Sequence, residues 1–252
     1  EFPPEIASQA VLQIRLRNRA KHKFSRADRM WFTPEGLEQS SAEPLASYHA
    51  SRFPQGELVI DAGCGIGGDL IALAGRGPAA GVERDALSVR FASLNLRAYA
   101  VEANAVLIHG DLLRLRMPKT SFLFLDPARR SEGRRWSSPD QWQPDWNTAC
   151  GLASAVRGAL VKTTPTLPPE RVPPECEREF ISVDGECREM LLAFGECRQG
   201  IALGALILPQ MARLSASGAP PPVVSLPLAW IYDPDPAVVA ARLLPELAQG
   251  LG

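Results

Sequence analysis

The fold of this chain is decided by residues 58–69, which read Leu58-Val59-Ile60-Asp61-Ala62-Gly63-Cys64-Gly65-Ile66-Gly67-Gly68-Asp69. A short apolar run, typical of a buried strand, delivers a carboxylate to a glycine-rich turn that leads into a helical pattern. Glycine lets the backbone amides of such a turn approach a ligand closely, and the beginning of the helix supplies amide donors. Gly63, Gly65 and Gly68 have the G-x-G-x-x-G spacing, and Glu83 follows Gly63 by about 20 residues. The pattern indicates a nucleoside-bearing cofactor whose ribose hydroxyls Glu83 would bind.

The position of Asp61 indicates which cofactor this is. A pyrophosphate needs neutral or positive surroundings, and a carboxylate two residues before Gly63 would repel it. The same carboxylate suits the cationic amino-acid end of S-adenosylmethionine. Asp111, after the third apolar run, is placed to accept the exocyclic amine of adenine. S-adenosylmethionine is therefore the expected cofactor, with a nicotinamide or flavin dinucleotide and a purely structural turn as the alternatives.

Short apolar runs alternate with helical patterns, which predicts an α/β, Rossmann-like fold with a seven-stranded, mostly parallel sheet flanked by helices. We expect strands at residues 58–61, 79–83, 105–109, 121–126, 159–162, 179–183 and 201–208. Helices are expected at residues 5–20, 69–76, 86–99, 146–157 and 186–194, and after the Asp-Pro repeat at 233–236. We assign residues 1–52 to an N-terminal helical, basic extension and residues 53–252 to the cofactor-binding domain.

The predicted fourth strand ends in Asp126-Pro127-Ala128-Arg129-Arg130. In an open parallel sheet, substrate meets cofactor at the carboxyl ends of the strands. The Asp126 side chain or the Pro127 carbonyl could hold the N–H groups of an amine so that the nitrogen is aligned for methyl transfer. The alternative is that Asp126-Pro127 only turns the chain.

Positive side chains cluster in two places, although 27 Lys and Arg nearly balance 28 Asp and Glu overall. Residues 11–30 contain one acid, Asp28, and seven cations, Arg15, Arg17, Arg19, Lys21, Lys23, Arg26 and Arg29. Arg129 and Arg130 precede Trp136 in a pattern typical of a loop that stacks bases and binds phosphates. The alternatives are a solvated helix face and a loop that docks through its apolar residues. We expect Trp146 to be a core residue.

Several classes of site are not expected. The five cysteines contain no C-x-x-C pair, and neither they nor the three histidines form a metal-ligand pattern. The small Cys64 side chain fits a crowded turn and does not indicate a nucleophile, and His109 is expected to be packed or hydrogen-bonded. No apolar run is long enough to span a membrane, and no leader is visible, so a cytoplasmic location is expected.

The chain resembles trimethylguanosine-synthase-like class I methyltransferases over residues 12–245. The resemblance is carried by the 61–69 motif and by the stretches Trp31-Phe32-Thr33-Pro34-Glu35-Gly36, Gly81-Val82-Glu83, His109-Gly110-Asp111 and Asp126-Pro127. Ser182-Val183-Asp184-Gly185 and Tyr232-Asp233-Pro234-Asp235-Pro236 are similar to bacterial methyltransferases that carry a C-terminal THUMP-like domain. The chain ends at Gly252, where that family would continue into the further domain.

The resemblance implies roles for individual residues. Asp61, Gly63 and Gly65 would hold the methionine part of the cofactor, Glu83 the ribose and Asp111 the adenine, and Thr33 would close over it. The expected cofactor-binding set is Thr33, Asp61, Gly63, Cys64, Gly65, Glu83, Asp111 and Leu112; the expected catalytic residues are Asp126 and Pro127, and the expected substrate-binding residues are Arg129, Arg130 and Trp136. Cap-modifying relatives have Ser-Pro-Pro-Trp where this chain has Asp126-Pro127-Ala128-Arg129, so cap specificity is not expected.

The leading hypothesis is an S-adenosylmethionine-dependent methyltransferase that acts on a nitrogen of an RNA base. RNA is then the expected partner, and neither a membrane nor a metal ion is expected. A methyltransferase for a small molecule or a protein side chain is the first alternative. A non-catalytic RNA-binding module that retains the cofactor is the second, and a dehydrogenase is the weakest candidate.

Overall fold

The computed structural model describes residues 3–131, 134–136, 138–223, 226 and 230–251, without the side chains of residues 130, 131, 134 and 135. The chain divides into two compact units, Glu1–Leu125 and Asp126–Gly252. Both units combine helices with β-strands, as the alternating sequence pattern predicts.

The first unit has a four-stranded parallel sheet within its described residues. Its strands are β1 (Val59–Ala62), β2 (Ala79–Glu83), β3 (Ala105–His109) and β4 (Phe122–Leu125), in the order β4-β1-β2-β3. Its helices are α1 (Pro4–Ala20), α2 (Pro34–Gln39), α3 (Glu43–Ser51), α4 (Gly68–Ala74) and α5 (Ala86–Ala98). Short 3₁₀ turns lie at Ala27–Arg29, Glu102–Asn104 and Leu112–Arg114.

Burial explains why β1 and β4 have continuous apolar runs instead of alternating ones. Every residue of both strands is buried, and a strand covered on both faces carries apolar side chains at successive positions. Helix α4 packs against β1 and β2, and α5 packs against β2 and β3. Helix α5 begins at a capped end, because the Asp85 carboxylate accepts hydrogen bonds from the Ser88 amide at 2.8 Å and hydroxyl at 2.7 Å.

The second unit has a five-stranded sheet in its described residues. Its strands are β7 (Gly158–Thr163), β8 (Glu177–Val183), β9 (Glu186–Gly195), β10 (Leu203–Leu208) and β11 (Ala212–Ser215), in the order β11-β10-β8-β9-β7; the short strands β5 (Arg130–Ser131) and β6 (Arg134–Arg135) pair separately. Only β8 and β10 are parallel in this sheet. Its helices are α6 (Trp146–Ala155), α7 (Pro236–Ala240) and α8 (Leu244–Leu251), with 3₁₀ turns at Pro139–Gln141 and Pro169–Arg171.

The helix predicted at residues 186–194 is wrong, because this segment forms β9. Strands β8 and β9 are joined by Asp184 and Gly185, whose φ angles of +51° and +74° suit a two-residue hairpin turn. β9 lies between β7 and β8 and is buried from Glu189 to Phe194, so its side chains do not alternate in polarity. Met, Leu and Ala in this run favour a helix locally, and strand pairing on both sides overrides that preference.

The strand count differs from the prediction for two reasons. Besides the short β5–β6 pair, the described residues contain four strands in the first unit and five in the second, whereas seven were predicted. The additional strands are β9 and β11, and both make antiparallel pairs. The other predicted strands and helices are confirmed, with ends that differ by a few residues, and the α/β Rossmann-like class is confirmed with them.

Trp146 is confirmed as a core residue. It is 2% exposed, its Nε1 donates to the Arg171 carbonyl at 2.7 Å, and Trp142 packs edge-on against it with 5.7 Å between ring centroids. In the part of the chain that the structure describes, no helix is both long and apolar enough to cross a membrane.

The hairpin that corrects the prediction can be tested by replacing Gly185 with alanine. A Cβ at this residue has open space but a left-handed φ of +74°, so Gly185→Ala should lower the free energy of unfolding by about 1 kcal/mol. Gly151→Ala is the matched control, because Gly151 lies in α6 with open space around it and should gain about 1 kcal/mol of stability. Urea denaturation measures both, and stabilisation by both substitutions would contradict the turn.

Candidate active site

The glycine-rich turn between β1 and α4 is carried by the end of β2. The amides of Gly63 and Cys64 both donate to the Val82 carbonyl, at 2.9 and 3.0 Å. The amide of Gly65 donates to the Glu83 carboxylate at 3.0 Å. The turn is therefore fixed to the end of β2, where Glu83 lies. It also follows directly on β1, the strand that carries Asp61.

The turn is open on one side and crowded on the other. Gly63 and Gly65 have φ angles of +91° and +53°, and a Cβ built on either one meets nothing within 4 Å. At Gly81 of β2, by contrast, a Cβ would lie 2.8 Å from Cys64 Sγ and 2.6 Å from Leu70 Cδ2. The backbone of the turn can therefore be approached closely by a ligand over Gly63 and Gly65, while its other side is packed on the sheet.

The surroundings of the turn are electronegative. Burial raises the pKa of the Cys64 thiol well above its ordinary value, and the nearby carboxylates of Asp61 and Glu83 raise it further. Burial disfavours a charge of either sign, whereas the two carboxylates disfavour a phosphate and favour a cation. The Cys64 thiol stays protonated near neutral pH, which agrees with the sequence prediction that it is not a nucleophile.

Glu83, Asp111 and Thr33 are held by backbone amides. The second Glu83 oxygen, Oε1, accepts a hydrogen bond from the Asp85 amide at 2.8 Å. Asp111 Oδ1 accepts one from the Leu113 amide at 2.9 Å, and Leu112 lies in the 3₁₀ turn that follows β3. Glu83 pairs with His109 in the sheet, and Asp111 follows His109 by two residues along the chain. Thr33 caps α2 by accepting from the Gly36 amide at 2.8 Å.

Asn95 is a supporting residue that the sequence analysis missed. It is fully buried on α5, and its Nδ2 donates to the Ile66 carbonyl of the turn at 2.9 Å and to the Trp31 carbonyl at 3.0 Å. Its Oδ1 accepts from the Trp31 amide at 2.7 Å. One side chain thus joins the turn to the segment that leads to Thr33. The available sequence signal was an amide on the face of α5 that also carries Ala92 and Leu96.

His49 is the second residue to which the sequence analysis gave no role. It is fully buried on α3, its Nδ1 lies 2.7 Å from Oδ1 of Asp69, and its ring centroid lies 5.0 Å from that of Phe124 in β4. Asp69 belongs to the first turn of α4, where a carboxylate interacts favourably with the helix dipole. The pair fastens α3 to the helix that follows the glycine turn.

The predicted catalytic and substrate residues lie at the beginning of the second unit. Asp126 follows the last residue of β4 directly, and its Oδ2 accepts from Nζ of Lys162 at 2.7 Å. Pro127 is buried, Arg129 and Trp136 are half-buried, and the Trp136 amide donates to the Arg129 carbonyl at 2.9 Å. The side chain of Arg130 lies outside the described part of the chain.

The basic extension is less available than its sequence suggests. Lys23 donates to the carbonyls of Leu37, Glu38 and Ser40 at 2.8 to 3.1 Å, Arg17 to that of Met30 at 2.8 Å, and Arg26 to that of Ala98 at 2.8 Å. Lys23 and Arg17 thus bind within the extension, whereas Arg26 binds the end of α5. Arg26 is nevertheless exposed, as are the other four cations: Arg15, Arg19, Lys21 and Arg29. Among the described residues, no group of three or more His, Cys, Asp or Glu side chains could hold a metal ion.

The role of Asn95 can be tested by its replacement with alanine. Asn95→Ala leaves three backbone groups without their hydrogen bonds, one of them the buried Ile66 carbonyl, and should lower the free energy of unfolding by about 2 to 4 kcal/mol. Asn104→Ala is the control, since the Asn104 amide makes a single hydrogen bond, to the Ala74 carbonyl at 2.9 Å, and its loss should cost less than about 1.5 kcal/mol. Equal losses in urea denaturation would show that Asn95 does not hold the turn.

The raised pKa of Cys64 predicts slow alkylation. At about pH 8 the native protein should react with iodoacetamide at Cys64 far more slowly than the urea-unfolded chain, because the side chain is buried and its thiolate is scarce in the folded state. The reaction should accelerate as the pH rises. Peptide mass spectrometry measures the extent at each time, and equal rates for the folded and unfolded chain would contradict a buried, protonated Cys64 thiol.

Three comparisons with known proteins show what this chain is similar to. Residues 56–133 match the family model described as RNA cap guanine-N2 methyltransferase. Two proteins of Mycobacterium tuberculosis, from strains CDC 1551 and H37Rv, are named as uncharacterized S-adenosylmethionine-dependent methyltransferases. Each is 35% identical to this chain over 220 residues, which are 84% of this chain and 60% of the relative. The chain thus spans about 60% of the length of these curated relatives.

A solved structure shares the fold. The crystal structure of a protein from Porphyromonas gingivalis W83, presumed to be a methyltransferase, superimposes with a TM-score of 0.75 at 22% identity and covers 99% of this chain and 68% of that one. The chain has the α/β Rossmann-like fold of this structural neighbour, and in sequence it is similar to S-adenosylmethionine-dependent methyltransferases.

Proposed function

We propose that this protein transfers the methyl group of S-adenosylmethionine to a nitrogen of an RNA base. The observation that carries the proposal is the open turn at Gly63 and Gly65, flanked by the carboxylates of Asp61 and Glu83. When bound, S-adenosylmethionine supplies an electrophilic methyl group on a positively charged sulfur, together with a cationic amino-acid end. Both charges suit an electronegative turn, which a dinucleotide pyrophosphate does not.

The residues around the turn suit the three parts of the cofactor. Asp61 and the amides of Gly63 and Gly65 would hold the methionine part, with Cys64 packed behind them. Each Glu83 oxygen accepts one backbone amide and keeps lone pairs for ribose hydroxyls. The exposed Asp111 would accept the adenine amine, with Leu112 beside the ring, and Thr33 would close the site. The amide hydrogen bonds fix the Glu83 and Asp111 carboxylates before the cofactor arrives.

The acceptor would be held at the end of β4. Leu125, the last residue of this strand, is the sheet partner of Ala62, which directly follows Asp61. Asp126 comes next in the chain, and its side chain is 26% exposed. Its carboxylate and the Pro127 carbonyl would accept N–H groups of the base and so align the nitrogen lone pair. Alignment of this kind can lower the barrier by several kcal/mol, about 7 to 11 in the best oriented cases.

Two observations support RNA as the acceptor. The matching family model is described as one of RNA methyltransferases, and its match includes the stretch from Asp126 to Arg130. Arg15 and Arg19 are exposed and lie one helical turn apart on α1, so they present two cations on one face of the helix. Residues 1–52 would then act as a basic extension of the methyltransferase domain at 53–252, with Arg129, Arg130 and Trp136 contacting the nucleotide. Cap specificity is not proposed, because Arg129 stands where the resemblance implies a tryptophan in cap-modifying relatives.

One observation favours a small molecule or a protein side chain as the acceptor instead. Arg17, Lys23 and Arg26 are bound to backbone carbonyls, so fewer cations are available for phosphates than the sequence contains. The comparison of acceptors described next distinguishes the two functions. A THUMP-like domain in the whole protein, which the sequence resemblance implies, remains a prediction.

The function is tested by following labelled methyl groups. The protein is incubated with methyl-labelled S-adenosylmethionine and, in parallel, with total bacterial RNA, a protein extract and a metabolite extract. We expect label in RNA, because the exposed cations and the end of β4 suit a base on a polyanionic backbone. Label that enters only protein or only metabolites would refute RNA as the acceptor, and binding of RNA without transfer to any acceptor would indicate a non-catalytic module.

The basic extension is tested by charge reversal. Arg15→Glu with Arg19→Glu should weaken RNA binding and make the dependence of log K on log salt concentration shallower by about 2 units, one for each lost phosphate contact. Arg116→Glu with Lys119→Glu is the control, since both side chains are exposed in the connection between β3 and β4. Filter binding across a salt series measures the slope. Equal effects of the two double variants would show that α1 makes no specific contribution.

A further inference from the structure

A buried lysine in the second unit has no part in the binding and orienting roles described above. Lys162 lies in β7, in which every residue is buried, and its side chain is only 8% exposed. Inside a sheet an ammonium group is retained only where carboxylates compensate its charge. The carboxylates near Lys162 therefore indicate the role of this residue.

Two carboxylates compensate Lys162. Its Nζ lies 2.7 Å from Oδ2 of Asp126 and 3.9 Å from Oε2 of Glu189. Lys162 pairs with Leu191 in the sheet, and Glu189 lies two residues along β9, so it projects from the same face. The Glu189 side chain is 1% exposed and that of Asp126 is 26% exposed. The ammonium thus lies between a fully buried carboxylate and one that solvent and substrate can reach.

The two oxygens of Asp126 have different surroundings. Oδ2 accepts the hydrogen bond from Lys162, whereas Oδ1 has no hydrogen-bond partner among the residues that the structure describes. An ionised carboxylate only accepts hydrogen bonds and never donates them. With Oδ2 engaged, Oδ1 is the atom that can accept an N–H from another molecule.

We propose that Lys162 is a positioning residue for Asp126 in methyl transfer. Its ammonium holds Oδ2 and fixes the side-chain rotamer of Asp126, so that Oδ1 accepts an N–H of the acceptor. Glu189 anchors the ammonium from the interior of the sheet. This inference rests on the proposed function, because it assigns Lys162 to the same acceptor site.

A double-mutant cycle on turnover tests the inference. Lys162→Met should lower kcat by about 100-fold, because Asp126 is no longer held in place, while the KM for S-adenosylmethionine stays unchanged. Because Lys162 acts through Asp126, Lys162→Met combined with Asp126→Asn should be no slower than Asp126→Asn alone. Multiplicative effects of the two substitutions would overturn the inference. The cycle is run on whichever acceptor takes up label.

A second ion pair in the same unit supplies the control for stability. Arg213 lies 2.9 Å from Glu179, a buried carboxylate on β8, and Arg213→Met removes that partner as Lys162→Met removes one from Asp126. Urea denaturation of both variants measures the structural cost of losing a cation. We expect Arg213→Met to keep the kcat of the unmodified chain. A kcat for Arg213→Met as low as that of Lys162→Met would show that loss of stability alone explains the effect.

Lys162→Arg keeps the inference testable if the methionine variant does not fold. It retains the positive charge beside both carboxylates and should recover part of the turnover, since a guanidinium can hold a carboxylate with different geometry. An arginine variant that is folded but as slow as Asp126→Asn would overturn the positioning role. The two proposals fail in different ways: no transfer by the unmodified chain to any acceptor refutes the methyltransferase function, whereas transfer that is unaffected at Lys162 refutes only the inference.

Discussion

The hydrogen bond from the Gly65 amide to the Glu83 carboxylate, with the two that Val82 accepts from Gly63 and Cys64, is the interaction on which the site depends. It fixes a left-handed glycine turn to the end of β2. The turn cannot then move without the strand, and its open side stays accessible to a ligand. The same bond holds the Glu83 carboxylate at the turn, and β2 is the neighbour of β1, the strand that carries Asp61. These three hydrogen bonds therefore fix the shape of the candidate cofactor site and hold one of its two carboxylates in place.

Buried polar groups have different roles in the two units. Asn95 satisfies backbone groups from two separate segments, and His49 with Asp69 fastens one helix to another. In the second unit, Lys162 is compensated by carboxylates that differ in exposure, 1% against 26%. Each group costs free energy to bury, and each is matched by hydrogen bonds or opposite charge. Asn95 and the His49–Asp69 pair join segments of the fold, whereas Lys162 holds the side chain of a residue in the proposed acceptor site.

The parts of the fold that could be predicted from the sequence are those with local signals. The turn at 63–68, Glu83 at the end of the second strand and the acid that follows β4 could be recognised from spacing along the chain. β9 could not be recognised, because its buried residues have helical propensity and its partners β7 and β8 are distant in sequence. Lys162 and Asn95 were missed for the same reason, since their partners are 36 and up to 64 residues away. In the basic extension, charge could be counted but its binding by backbone carbonyls, as at Lys23, could not be foreseen.

The central claim is that the carboxylates of the turn bind a cationic amino-acid end. It is tested most directly by calorimetric titration of S-adenosylhomocysteine into the unmodified chain and into Asp61→Asn. The account predicts binding to the unmodified chain and a dissociation constant about tenfold larger in the variant, which corresponds to a loss of about 1.4 kcal/mol. Binding of equal strength to both proteins, or no binding to either, would contradict it.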